Sequence, residues 1–121
     1  MARVLLVDDT KIVHQLVRIH LTGLNLEFDD AYNGQEALDL LNENRYDVVI
    51  SDLNMPGLDG IALCKKIKSN PRHALTNVIL LTSNTAADTR VAAIGAGCAA
   101  FLEKPIDQSA LVSTVKKHAC N

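Results

Sequence analysis

The stretch VLLVDDTKIV, residues 4 to 13, runs four apolar residues straight into two adjacent aspartates and then resumes an apolar pattern. Neighbouring carboxylates repel each other, so a buried strand that meets Asp8 and Asp9 needs a reason to carry them. Successive side chains of a strand point to opposite faces, and both aspartates can face one site only if the strand has ended there. The reading of the chain turns on what else shares that strand end.

Similar short runs rich in Val, Ile and Leu recur downstream. RVLLV (3–7), YDVVI (46–50) and NVILL (77–81) read as buried strands, LEFDDA (26–31) as an edge strand and AAFLE (99–103) as a fifth. Strands apolar on both faces belong to a parallel sheet covered by helices on each side.

Helical patterns lie between them. After Thr10 the apolar residues Ile12, Val13, Leu16, Val17, Leu21 and Leu24 form one face, with Lys11, His14, Gln15 and Arg18 on the opposite, wet face. A second helix is expected over 33–44, with Asn33 as N-cap and Glu36 three residues later. A third, over 59–71, buries Leu63, Cys64 and Ile67 and closes at Pro71. A fourth spans about 86–96, and a fifth follows Pro105 to about 119. Five βα units with right-handed crossovers predict an α/β, doubly wound, flavodoxin-like three-layer sandwich, with a five-stranded parallel sheet in the order 2-1-3-4-5.

Composition narrows the function. A chain of 121 residues is expected to form one domain, residues 1–121. A formal net charge of −2 gives no general basic field for nucleic acid. Two Tyr, two Phe and no Trp leave no base-stacking platform. The three cysteines, Cys64, Cys98 and Cys120, are odd in number and far apart, which suits a reducing cytoplasm better than a disulfide framework or zinc site. Cys64 and Cys98 are expected to be packed as small hydrophobes and Cys120 to be a frayed-end thiol. The four histidines show no metal-ligand spacing, and no run suits a signal peptide or membrane span.

In such sheets ligands sit beyond the carboxyl ends of the strands. Strand one ends in Asp8 and Asp9, strand three in Ser51 and Asp52, strand four in Thr82 and Ser83, and strand five in Lys104 and Pro105. Three carboxylates raise one another's pKa unless a cation neutralises them. Oxygen donors without His or Cys select a hard ion, with Mg²⁺ favoured. Such a site suits phosphoryl chemistry: an aspartate can be the nucleophile, Lys104 a point charge and Thr82 a hydroxyl donor.

At these residues the chain resembles a known family. VLLVDD, VVISDLNMPGLDG, VILLTS and FLEKP are similar, in order and spacing, to the receiver domain of two-component response regulators, and the similarity covers essentially the whole chain. The resemblance implies that Asp52 is the phosphoacceptor for a histidine kinase or histidine phosphotransfer protein. It implies that Asp9 ligates Mg²⁺ directly (Mn²⁺ being a substitute), Asp8 largely through water, and that Asp52 and the Asn54 backbone carbonyl complete the protein ligands. Thr82 is implied to swing toward the phosphoryl group, with Phe101 rotating inward behind it. Lys104 is implied to bind the phosphoryl group across a cis bond to Pro105. The resemblance also implies that Asn54 and Asn84 flank the path of an attacking water and tune dephosphorylation, since neither is a carboxylate. Phe101 stands where many relatives carry a switch tyrosine, so no hydroxyl is offered to a partner.

The expectation is a cytoplasmic, phosphorylation-dependent switch, not a turnover enzyme. Lys11, Gln15 and Arg18 are expected to face the kinase, and the fourth helix, fifth strand and fifth helix to meet a downstream protein target. No direct nucleic-acid contact or membrane insertion is expected. Two alternatives stay open at this stage: an Mg²⁺-dependent phosphatase or phosphotransferase working through an aspartyl phosphate, and a receiver-shaped binding module that is never phosphorylated. His14 and His20 are expected to have structural roles, and the Lys65, Lys66 and Lys68 cluster to be a solvated face.

Overall fold

The apolar runs do form the strands. In a computed structural model, which describes residues 2–84 and 86–119, β1 is Ala2–Val7, β2 Leu26–Ala31, β3 Val48–Asp52, β4 Asn77–Thr82 and β5 Ala100–Glu103. They alternate with α1 (Lys11–His20), α2 (Gly34–Glu43), α3 (Gly60–Lys68), α4 (Ala87–Gly95) and α5 (Gln108–Ala119). All pairings are parallel and the order is β2-β1-β3-β4-β5, the expected doubly wound sheet. The frayed-end reading of Cys120 lies outside the described residues.

Every residue of β3 is buried, as a central strand between two helical layers requires. Side chains alternate between two cores. Leu5, Val7, Val49, Val78 and Leu80 pack with Leu41, Leu63, Cys64 and Ile67 of α2 and α3. Val4, Leu6, Val48, Ile50, Ile79 and Leu81 pack with Val17, Leu21, Leu111 and Val115 of α1 and α5. Burial of this apolar surface, at about 25 cal/mol per Å² removed from water, is the main force holding the layers together.

Local signals set the helix starts. Asn33 Oδ1 accepts from the Glu36 N–H at 2.8 Å, as expected, and Glu36 returns a bond to the N–H of Tyr32 at 2.9 Å. Asp59 caps α3 through the Ala62 N–H at 2.8 Å. Gly60 follows because nothing larger fits: a Cβ there would lie 2.5 Å from the Asp52 carbonyl oxygen and 2.8 Å from Leu53 Cα. The start of α3 therefore presses directly on the end of β3.

Four expectations need correction. His14 is buried, not on the wet face, whereas Ile12 and Leu16, read onto the apolar face, are exposed, Ile12 by 74%. The buried arc of α1 runs along His14, Val17 and Leu21, because polar partners for His14 wait beneath the helix. The third strand runs from Val48 to Asp52 and does not begin at Tyr46: ahead of it Tyr46 donates its hydroxyl to Asp29, and Asp47 accepts from the Arg3 N–H. Pro71 opens a 3-10 turn, Pro71–His73, and Lys68 is not a solvated bystander. Its Nζ donates to the carbonyls of Ala74 and Thr76 at 3.0 and 2.8 Å, tying down the loop into β4.

Candidate functional site

The carboxyl ends of the three central strands and β5 meet at one mouth. β1 ends at Val7, and the chain continues into Asp8 and Asp9. Asp52 is the last residue of β3 and pairs with Leu81, one residue before Thr82 at the end of β4. Thr82 pairs with Glu103, and the next residue is Lys104, whose N–H donates to the Thr82 carbonyl at 2.7 Å. The 2-1-3-4-5 order thus brings the four candidate segments together at adjacent strand ends.

One carboxylate oxygen from each of Asp8, Asp9 and Asp52 lies within 4.8 Å of the others. Asp8 and Asp52 are buried and Asp9 is exposed. Lys104 Nζ donates to Asp52 Oδ1 at 3.1 Å and stands 3.5 Å from Asp8 Oδ2, an ion-pair distance without hydrogen-bond geometry. Burial pushes the Asp52 carboxyl above its ordinary pKa. The hydrogen bond and charge of Lys104 and a bond from Asn54 backbone pull it down, Asp8 pushes it up again, and the net displacement is upward.

The trio fits a hard divalent cation. Its donors are all carboxylate oxygens, and Asp8 Oδ2 is buried with no hydrogen-bond partner. An unpartnered buried carboxylate oxygen is costly, and a cation at the mouth would satisfy it.

The remaining predicted residues are placed as follows. Thr82 is fully buried, and its Oγ1 accepts from the Asn84 N–H at 2.9 Å. Asn54 and Asn84 are exposed on the loops after β3 and β4. The Lys104–Pro105 peptide is cis. Phe101 is three residues short of the mouth, half-buried against the α2–α3 core, with the Arg90 guanidinium 5.6 Å from its ring centroid. Lys11 and Gln15 are exposed on α1, while Arg18 is paired with Asp30.

Two residues of the site's support are missing from the sequence reading. Thr10 fixes Asp8, donating to Oδ1 from its N–H at 2.9 Å and its hydroxyl at 2.8 Å. His14 reaches the Asp8 carbonyl from beneath α1 at 2.9 Å. A hydroxyl two residues after an aspartate is a readable turn signal. For His14 the signal is its spacing, three residues before Val17 and seven before Leu21.

A family model for the response regulator receiver domain matches residues 4–116. The chain belongs to this family. Receiver domains are the phosphorylation-dependent switches of two-component signalling. The chain is 37% identical over 112 residues to the DNA-binding transcriptional regulator NtrC of Klebsiella pneumoniae, covering 93% of this chain and 24% of that protein. It is 33% identical over 115 residues to the response regulator PleD of Caulobacter vibrioides, covering 95% of this chain and 25% of that protein. The chain thus spans about a quarter of the length of these two relatives. Among solved structures, the chemotaxis protein CheY4 of Vibrio cholerae superposes with a TM-score of 0.90 at 31% identity, covering 98% of each chain. The receiver domain of a histidine kinase from Syntrophus aciditrophicus gives 0.89 at 32% identity, covering 97% of this chain and 89% of that one. Among the described residues, no helix of this receiver is long and apolar enough to cross a membrane.

Proposed function

We propose that Asp52 is the phosphoacceptor of this receiver and that Asp8, Asp9 and Asp52 hold Mg²⁺ while it reacts. The observation that carries this reading is the position of Asp52: a buried carboxylate ending the central strand, 3.1 Å from the Lys104 ammonium and grouped with two further carboxylates. Mg²⁺, when bound, supplies charge neutralisation for the incoming phosphoryl oxygens. A carboxylate oxygen of Asp52 attacks phosphorus, the bond from phosphorus to the donor nitrogen breaks, and its electron pair stays on the donor imidazole. Lys104 compensates the charge that Asp52 gains. Thr82 offers its hydroxyl hydrogen to a phosphoryl oxygen, since Oγ1 serves Asn84 as an acceptor and keeps its own proton free to donate. Asn54 and Asn84, exposed beside the mouth, set how readily water reaches the acyl phosphate.

The donor is a histidine kinase or histidine phosphotransfer protein, docking on the α1 surface beside the mouth. Lys11 and Gln15 are exposed there, together with the apolar Ile12, Leu16 and Ile19. The output is a protein contact on α4, β5 and α5, where α4 exposes Val91 and Ile94. Support for a switch at this face is the direct backbone bond between Lys104, just after β5, and Thr82.

Incubation with acetyl phosphate and Mg²⁺ tests the reading. Labelling should approach one phosphoryl group per chain and vanish in Asp52→Asn. Continuous phosphoester turnover would instead indicate an enzyme, and an unlabelled chain a binding module. With a phosphoryl mimic, amide shifts should spread to α4 and β5; shifts confined to the mouth refute the proposed output face.

A further inference from the structure

Nearly every polar atom of Asp8 is already committed. Its N–H donates to the Ala31 carbonyl at 3.2 Å, and its Oδ1 accepts twice from Thr10. Its carbonyl oxygen is bonded by His14 Nε2 at 2.9 Å. Only Oδ2 is left without a hydrogen bond, and that is the oxygen facing Lys104.

His14 is 3% exposed, and its second ring nitrogen, Nδ1, lies 2.7 Å from Asp30 Oδ1. A peptide carbonyl can only accept, so Nε2 donates to Asp8, while Nδ1 stands within hydrogen-bond distance of Asp30. Asp30 is suited to the part. Burial alone would raise its pKa, but the hydrogen bonds and charges of Arg18 and His14 outweigh burial and hold it below the ordinary carboxylate value. Tyr32 stacks on the imidazole with centroids 4.4 Å apart, which fixes the ring plane. For packing α1 on the sheet an apolar side chain would suffice, as Val17 and Leu21 show. A ring held at both nitrogens does more, because it sets the position of the Asp8 peptide relative to β2. Turning that peptide would carry Oδ2 away from the mouth.

We propose that His14 is a positioning residue for the cation-binding edge. Held by Asp30 through Nδ1, it grips the Asp8 carbonyl through Nε2 and so presents Asp8 Oδ2 to the metal. The proposal rests on the assignment of Asp8, Asp9 and Asp52 as a cation site. Hydrogen-bonding partners behind a metal ligand change affinity by roughly 10- to 100-fold, so the effect is measurable.

The test titrates Mg²⁺ alone into the ¹⁵N-labelled full chain and its variants, followed by amide shifts at a temperature where all are folded. His14→Phe keeps the stack on Tyr32 and removes both ring nitrogens. It should weaken Mg²⁺ binding by about tenfold or more, and His14→Gln, which restores one donor, should recover part of the loss. Mg²⁺ affinity in His14→Phe within about twofold of wild type overturns the proposal. If His14→Phe does not fold, Asp30→Asn makes the same test with the ring in place: weaker Mg²⁺ binding supports the clamp and unchanged binding refutes it. If wild type binds no Mg²⁺, the cation-site assignment has failed. The clamp is then judged in metal-free protein by the Asp9 and Thr10 amide shifts, which must move in His14→Phe and otherwise refute it.

Discussion

Lys104 Nζ lies 3.1 Å from Asp52 Oδ1, although 52 residues separate the two in the chain. The same ammonium is the cation paired with Asp8, and Asp9 adds a third carboxylate to the group. One positive charge faces three acidic groups, so the metal-free mouth is under-compensated.

Removing one of those charges should therefore stabilise the fold. In metal-free protein near neutral pH, Asp52→Asn is expected to unfold at higher temperature than wild type, because burial and the Asp8 charge disfavour the Asp52 carboxylate and Lys104 keeps Asp8 as a partner. Thermal melts in the presence of a chelator measure it. A lower melting temperature would mean that the Lys104 bond to Asp52 outweighs the desolvation and repulsion.

Asp9 is exposed and contributes charge to the group without burying itself. Asp9→Ala should leave the metal-free fold unchanged or slightly more stable while abolishing Mg²⁺-dependent labelling by acetyl phosphate. Severe destabilisation without metal would show that the adjacent aspartates serve the fold rather than the cation.

His73 gives a pH dependence with a definite sign. Burial, and then the charges of Arg72, Arg45 and Lys68, depress its pKa below 6.5, against a hydrogen bond to backbone at Leu41 that works the other way. Its Nδ1 is buried without a partner. As pH falls below 6.5, the unfolded chain takes up a proton that the folded chain refuses, so stability declines until the folded pKa is reached. Wild type should lose more stability than His73→Gln between pH 7.5 and pH 5.5 in parallel melts. Equal losses would remove His73 as the source.

Gly60 leaves no room for a side chain, since the atoms that a Cβ would meet are backbone atoms of Asp52 and Leu53. Gly60→Ala should cost about 1–3 kcal/mol, the usual range for overpacking. It should also slow Asp52 labelling by displacing the end of β3. Chemical denaturation measures the first effect and labelling rates the second. An alanine variant as stable as wild type would show that α3 can shift freely.

Much of the fold was legible because the central strands are apolar runs and some helix starts carry a side-chain cap, as α2 and α3 do. Asn33 with Glu36 is the clearest case. The mouth was legible because parallel topology sends every strand's carboxyl end to one edge, so Asp8, Asp9, Asp52, Thr82 and Lys104 could be collected before any contact was known. Side-chain phase on α1 was not. Residue polarity assigns a histidine to the wet side despite its spacing with Val17 and Leu21, and nothing near His14 in the chain announces Asp30, 16 residues away on another element. Lys68 escaped for a related reason: its acceptors are backbone carbonyls of Ala74 and Thr76, which carry no mark in the residue code. The crowding at Gly60 was equally silent, since the glycine shows but its neighbour across the turn does not.

The 2.7 Å bond from the Lys104 N–H to the Thr82 carbonyl has a mechanical consequence. The two residues expected to grasp a phosphoryl group are rungs of one ladder, so a pull on either side chain loads the same backbone joint. Tension at that joint bears directly on β5, a strand only four residues long that lies at the rim of the sheet with a neighbour on one side. A central strand would share such a load between two neighbours, whereas β5 passes it to β4 alone.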